Sequence, residues 1–312
     1  MDGRLQVFAA NGNRALAENI MGVLEAPLGR AVVDTWRNGE TRVKLEENVR
    51  GSDVFIIQSL AEPVNHHLVE LLIMIDAIRR ASAARVTAVI PYFAYARQEK
   101  KTSGREPISA KLVANLLVTA GVNRILTLDL HAPAIEGFFD IPVDHLRATH
   151  LLASHFRRMN VGDLVAVSPD AGGVGRAQDF RVRSGGGLAI ISKNRPSPEQ
   201  TEVLEMVGDV EGKTAVIVDD MISTGDTLVQ AAETLKERGA SHVYASAVHA
   251  VFAGDAARLI DASPIERVVV TDTLPLPAER RSGNVEVLTV APLLAEAIMR
   301  IHKDLSISAL FN

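Results

Sequence analysis

The sequence predicts an α/β fold of two similar doubly wound domains, each around a central, mostly parallel sheet. Three observations carry this expectation. Short runs rich in Val, Ile and Leu recur at Val54–Gln58, Val86–Ile90, Ile125–Leu128, Leu164–Val167, Ala215–Val218, Val243–Val248 and Val268–Val270, mostly separated by helix-like stretches, an alternation that builds layered βαβ units. The runs are apolar on both faces, as strands of a covered parallel sheet are. The two halves also resemble each other. Ala88-Val-Ile-Pro-Tyr-Phe-Ala-Tyr-Ala-Arg97 parallels Ala166-Val-Ser-Pro-Asp-Ala-Gly-Gly-Val-Gly-Arg176 as a strand entering a Pro-led turn, and Ile125–His131 parallels Ala215–Met221 as an apolar strand ending in an acid.

Taken along the chain, Leu5-Gln-Val-Phe8 reads directly into a strand with no leader pattern before it. Leu68–Arg80 has helical apolar spacing after a possible Asn65 cap, and Ser109 is placed to cap a helix through Ala120 that Gly121 ends. A chain of 312 residues suits two domains. Residues 1–148 are assigned to the first and 149–312 to the second, with roughly the last 20 residues expected to pack back on the first.

Composition excludes several function classes. The longest apolar stretch, Leu68 to Ile78, is interrupted by Glu70 and Asp76, too short and too charged to cross a bilayer, so a cytoplasmic protein with no membrane partner is expected. Zero cysteines rule out disulfides, thiolate metal sites and a cysteine nucleophile. With 33 Lys+Arg against 38 Asp+Glu the net charge is −5, and no basic block offers itself to nucleic-acid phosphates.

The most informative segment is Val216-Ile-Val-Asp-Asp-Met-Ile-Ser-Thr-Gly-Asp-Thr-Leu228. A buried strand delivers two carboxylates and then a hydroxyl- and glycine-bearing loop that opens a helix. Backbone N–H groups at a helix start bind a phosphate, helped here by the Thr224 and Thr227 hydroxyls, while Asp219 and Asp220 can accept hydrogen bonds from sugar hydroxyls. An ordinary strand-turn-helix junction with a Ser or Thr cap is the bland alternative. Paired acids at a strand's carboxyl end, where α/β ligands sit, favour the functional one.

Asp-Asp followed by this Thr-rich loop resembles the phosphoribosyl-diphosphate loop shared by type I phosphoribosyltransferases and ribose-phosphate pyrophosphokinases. Leu128-Asp-Leu-His-Ala132 with Glu136–Leu146, then Ser168-Pro-Asp-Ala-Gly-Gly-Val174, then Lys193-Asn-Arg-Pro196, follow the pyrophosphokinase pattern in order and spacing. The likeness runs from Val7 through Leu310, and on it the chain is identified as a member of the phosphate-regulated bacterial type. The resemblance implies two domains of the type I phosphoribosyltransferase kind, transfer of pyrophosphate from ATP to ribose 5-phosphate, and Mg²⁺ held by His131 and Asp170. Asp129 could orient the His131 imidazole or hold a metal-bound water, and the sequence does not choose. Lys193 and Arg195 correspond to the family's catalytic flexible loop, where two cations stabilise charge developing at the β-phosphorus, and Arg195 also faces ribose 5-phosphate. Trp36, Asn38, Gly39 and Glu40, with Arg97 and Gln98, align with the ATP-binding segments. A homo-oligomer, a hexamer with nucleotide sites shared between subunits, is implied too. His66 and His67 match no metal spacing and are expected at the surface.

Departures from the family fall in three places, the smallest being Glu99, which lengthens the acid usually found after Arg-Gln. Trp36-Arg37-Asn38-Gly39-Glu40 replaces a Phe-Ser-Asp-Gly-Glu type segment, keeping an aromatic surface for adenine. The phosphate loop's usual Asp-Thr-Gly-Gly-Thr is Ser223-Thr-Gly-Asp-Thr227. Asp226 repels a 5′-phosphate if it points into the cradle, and costs little if it favours the helix's amino end. Two rivals follow. A phosphoribosyltransferase would share the loop but lack Lys193-Asn-Arg195 and Asp129-Leu-His131. A non-catalytic regulatory homologue fits the altered loop, but is opposed by the retention of His131, Asp170, Lys193 and Arg195.

Overall fold

The computed structural model describes residues 3–194, 203–281 and 283–310. The chain forms two units: Met1–Arg147 with Thr273–Pro275 and Thr289–Asn312, and Ala148–Asp272 with Leu276–Leu288. No helix among the described residues is long and apolar enough to cross a membrane.

The first unit runs β1 (Leu5–Ala9), α1 (Arg14–Val23), β2 (Ala31–Thr35), β3 (Thr41–Leu45), β4 (Asp53–Ile57), α2 (Val64–Arg80), β5 (Arg85–Ile90), α3 (Ser109–Ala120), β6 (Arg124–Leu128) and β7 (Val143–Leu146). Its sheet has the order β1-β4-β5-β6-β7 with every neighbouring pair parallel. β2 and β3 form a separate antiparallel ribbon. β4 is buried along its whole length, which is why its side chains show no polar alternation. The charge it does carry, Asp53, is met by Arg85 in register at the head of β5, Nη2 to Oδ2 2.6 Å.

Helix starts differ in detail from their sequence signals. α2 begins at Val64, flanked by Pro63, and the Asn65 side chain accepts from the Tyr95 hydroxyl instead of capping. Ser109 is the first residue inside α3 and its hydroxyl donates to the Gln98 side chain. Gly121 does end α3, at φ 107°, a backbone conformation that side chains disfavour. His67, expected at the surface, is buried, and its Nδ1 pairs with the Ala61 carbonyl at 2.8 Å.

The second unit contains α4 (Thr149–Met159), β8 (Leu164–Ser168), α5 (Val174–Ser184), β9 (Gly187–Asn194), β10 (Val203–Val207), β11 (Thr214–Ile222), α6 (Asp226–Glu237), β12 (His242–Ala250), α7 (Ala256–Asp261), β13 (Arg267–Thr271) and β14 (Val285–Leu288). Its seven strands lie in the order β10-β9-β8-β11-β12-β13-β14, parallel except for the β9–β10 hairpin. Its core gathers Val165, Val167, Ile217, Leu235, Val268 and Phe252. The chain then returns to the first unit as α8 (Ala291–His302), which packs on α1. There His302 Nδ1 sits 2.9 Å from Asp53 Oδ2, and Arg85 Nη1 3.3 Å from Asp304 Oδ1.

Candidate active site

In the second unit the chain leaves β8 toward β9 on one side and later returns to β11 on the other, so the strand order reverses between β8 and β11. Open α/β sheets bind ligands outside the carboxyl ends of the strands at such a reversal. Asp170 follows β8 here, and Asp219 and Asp220 lie near the carboxyl end of β11. Asp170 is exposed, and its Oδ1 accepts the Gly173 N–H at 2.8 Å. Asp219 is half-buried and Asp220 buried. Arg176, from the first turn of α5, places Nη1 3.0 Å from Asp219 Oδ1 and Nη2 3.2 Å from Asp220 Oδ1. Burial, then the hydrogen bond and charge of Asp220, push the Asp219 carboxyl up to about 8 against the pull of Arg176, so the pair holds a proton near neutral pH.

Beyond β11 the loop is pinned by the Ala253 N–H donating to the Ser223 carbonyl at 3.0 Å. Gly225 then turns at φ 89° and flanks α6, whose first residues are Asp226 and Thr227. The Val229 N–H bonds the Gly225 carbonyl at 2.9 Å, so the N–H groups of 226–228 have no partner within the helix and Asp226 sits at its positive end. Thr224, Asp226 and Thr227 are exposed, while Ser223 is half-buried. Lys193 pairs in register with Leu204 across the β9–β10 hairpin. Its side chain, like Arg195, lies outside the described residues.

In the first unit, Trp36 to Glu40 form the exposed turn of the β2–β3 ribbon. The Trp36 N–H donates to the Glu40 carbonyl at 2.7 Å, the Gly39 N–H to the Trp36 carbonyl at 2.8 Å, and the Glu40 N–H to Asn38 Oδ1 at 3.2 Å. Trp36 is 52% exposed and lies under the Arg42 guanidinium, 4.7 Å from its ring centre, with Arg42 clamped by Asp34. Trp36 is therefore no part of this chain's core. Arg97 and Gln98 are exposed after β5. Glu99 next to them is held below its ordinary value: burial works against this, but a backbone N–H, Lys100 and the charge of His131 outweigh it.

His131 is exposed beyond β6, after Asp129 at φ 37°. This loop is fastened from β7. The Asp129 N–H donates to the Leu146 carbonyl at 3.0 Å, and the Leu130 N–H to His145 Nε2 at 2.8 Å. An acceptor Nε2 puts the imidazole proton on Nδ1, which meets Glu136 Oε1 at 2.5 Å. Burial holds His145 below its ordinary value although Glu136 favours the charged form. Arg176 and the His145–Glu136 pair were not singled out by the motifs. Both stand inside motif segments, but Arg176 meets Asp219 across 43 positions, and no local pattern signals that pairing.

Parallel sheets, with paired carboxylates leading into a glycine-opened helix at a strand reversal, define an α/β enzyme of the phosphoribosyltransferase-like class. Residues 5–121 match the model described as the N-terminal domain of ribose phosphate pyrophosphokinase, and 188–312 the phosphoribosyl synthetase-associated domain. The chain is 50% identical over 312 residues, 100% of its length and 98% of theirs, to ribose-phosphate pyrophosphokinases of Listeria ivanovii and Bacillus cereus. It belongs to the ribose-phosphate pyrophosphokinase family. Its fold matches the crystal structure of phosphoribosylpyrophosphate synthetase from Mycobacterium smegmatis with a TM-score of 0.92 and 42% identity, covering 96% of this chain and 99% of that one.

Proposed function

We propose that this chain transfers the pyrophosphoryl group of Mg–ATP to the C1 hydroxyl of ribose 5-phosphate, giving 5-phosphoribosyl 1-diphosphate and AMP. The observation that carries this reading is the convergence of Asp170, Asp219, Asp220 and the Gly225-opened start of α6 on the strand reversal of the second unit, in a chain half identical to ribose-phosphate pyrophosphokinases over its whole length. In it, the N–H groups at the start of α6 and the Thr224 and Thr227 hydroxyls take the 5′-phosphate, and Asp219 and Asp220 take ribose hydroxyls. The sugar is then held by its far end, with the C1 hydroxyl left exposed so that its oxygen attacks the β-phosphorus in line as AMP leaves and the hydroxyl proton is lost to solvent. Positioning and charge neutralisation suffice for this step.

The Trp36–Glu40 turn and Arg97–Gln98 hold ATP, the half-exposed Trp36 ring offering the face on which adenine stacks. Lys193 and Arg195 neutralise charge that develops at the transferring group. Among the described residues no group of three or more His, Cys, Asp and Glu could enclose a metal ion. Mg²⁺ needs no such cage, because a protein grips it through one or two side chains while phosphates and waters complete its shell. His131 and Asp170, both exposed, are the residues that would hold it. Bound there, Mg²⁺ would neutralise phosphate charge and make the β-phosphorus more electrophilic. The same reading places the protein in the cytoplasm as a homo-oligomer, a hexamer with shared nucleotide sites. Phosphorus NMR of the pure protein with Mg–ATP and ribose 5-phosphate tests it: AMP and a 1-diphosphate sugar should form in equal amounts, and ADP without AMP would refute it.

A further inference from the structure

A β-strand sends consecutive side chains to opposite faces, so Asp219 and Asp220, adjacent on β11, do not converge on one ligand by default. Here a single guanidinium reaches both. Arg176 Nη1 lies 3.0 Å from Asp219 Oδ1 and Nη2 3.2 Å from Asp220 Oδ1, so the fixed spacing of the guanidinium nitrogens sets the spacing of the two carboxylates. Asp219 Oδ1 also receives the Asp220 N–H at 2.8 Å, which fixes that side chain's rotamer.

The cation is built in from the other side of the strand reversal. Arg176 belongs to α5, which follows Asp170, and the intervening Gly173 has no room for a side chain. A Cβ there would stand 2.8 Å from Ser168 Oγ, 3.5 Å from Asp170 Oδ1 and 3.6 Å from Arg176 Nη1. With its side chain only 19% exposed, Arg176 is held where its charge is weakly screened.

We propose that Arg176 is a positioning residue for the sugar site, which holds the Asp219 and Asp220 carboxyl groups together at the spacing that accepts two ribose hydroxyls. The proposal rests on the reading that these two carboxylates bind the sugar. Charge-assisted contacts of this kind are worth about tenfold or more in affinity when removed.

Steady-state kinetics of Arg176→Ala, Arg176→Lys and Asp220→Asn, with thermal melts of each, test it. Arg176→Ala should raise KM for ribose 5-phosphate at least about tenfold while KM for ATP stays within about twofold. Added guanidinium, but not sodium chloride at equal ionic strength, should recover much of that loss. Arg176→Lys should recover only part, because an ammonium is a point charge without the fork. If Arg176→Ala does not fold, Arg176→Gln carries the same test. A purely structural role predicts that both KM values and the melting temperature shift together with no rescue by guanidinium, and that result overturns the proposal. A raised KM for ribose 5-phosphate in Asp220→Asn beside an unchanged one in Arg176→Ala also overturns it, and leaves the sugar-site reading intact. An unchanged KM in Asp220→Asn overturns the reading and the proposal together.

Discussion

Asp219→Asn should stabilise the ligand-free protein while weakening its grip on ribose 5-phosphate. The wild-type carboxyl is raised from an ordinary value of 3.8 to about 8, by burial first and by Asp220 next. Below about pH 4 the folded and unfolded chains both hold this proton and nothing is lost. Between about pH 4 and 8 the unfolded chain releases it while the folded chain keeps it, so stability falls as pH rises and the loss is complete above about 8. A rise of that size caps the loss at about 6 kcal/mol. Water reaching the half-buried carboxyl screens it to about 1–2 kcal/mol, or roughly 3–6 °C in melting temperature. Asparagine cannot ionise, yet its amide can donate to Asp220 and its oxygen can still accept from Arg176 and from the Asp220 N–H, as the protonated acid does. Thermal melts at fixed protein concentration from pH 5 to 9 should show a variant-minus-parent difference that grows with pH and levels off near the top of the range. A difference independent of pH, or negative at pH 9, would refute the shared-proton account. The same variant should raise KM for ribose 5-phosphate about tenfold, because the amide cannot give up its proton to become the charged acceptor that a ribose hydroxyl favours.

Three further outcomes are expected. Lys193→Ala should lower kcat at least about 10²-fold with little change in KM for ribose 5-phosphate, and a variant retaining more than half the parental kcat would remove the lysine from the chemistry. Asp226→Gly takes a negative charge from the first position of α6 and should lower KM for ribose 5-phosphate, most clearly at low ionic strength; an unchanged or raised KM would mean the carboxylate serves the helix start instead. Trp36→Ala should raise KM for ATP about fivefold, the equivalent of roughly 1 kcal/mol of stacking, without moving KM for ribose 5-phosphate. Trp36 emission should report nucleotide binding, and an unchanged spectrum at saturating Mg–ATP together with altered assembly in Trp36→Ala would assign the ring to a subunit contact.

The apolar runs of β4, β5, β6, β8, β11, β12 and β13 were legible in the sequence because strands covered on both faces need continuous apolar side chains. The ribbon was not. Its strands interleave Asp34, Arg42 and Lys44 with half-buried valines, and nothing local marks a pair that packs outside the sheet. The caps failed for a related reason: Asn65 and Ser109 carry the right groups, but Tyr95 and Gln98 compete for them from other segments. At the site, sequence order identified Asp219, Asp220 and the Gly225 turn, since strand, acids and helix start are contiguous. Arg176 meets Asp219 across 43 positions and His145 meets Leu130 across 15, pairings that no local pattern marks.

The second unit is laid into the chain before the last stretch of the first, and this has a consequence for the order of synthesis. A ribosome delivers every strand of the second sheet before it delivers α8. The second unit can therefore close while the chain is still growing, whereas α1 and the buried Asp53 await packing and a hydrogen bond that arrive only with 291–304. The nascent protein thus completes the half it began second before the half it began first, and a message truncated just short of α8 would yield a finished second sheet tethered to an unclosed first one.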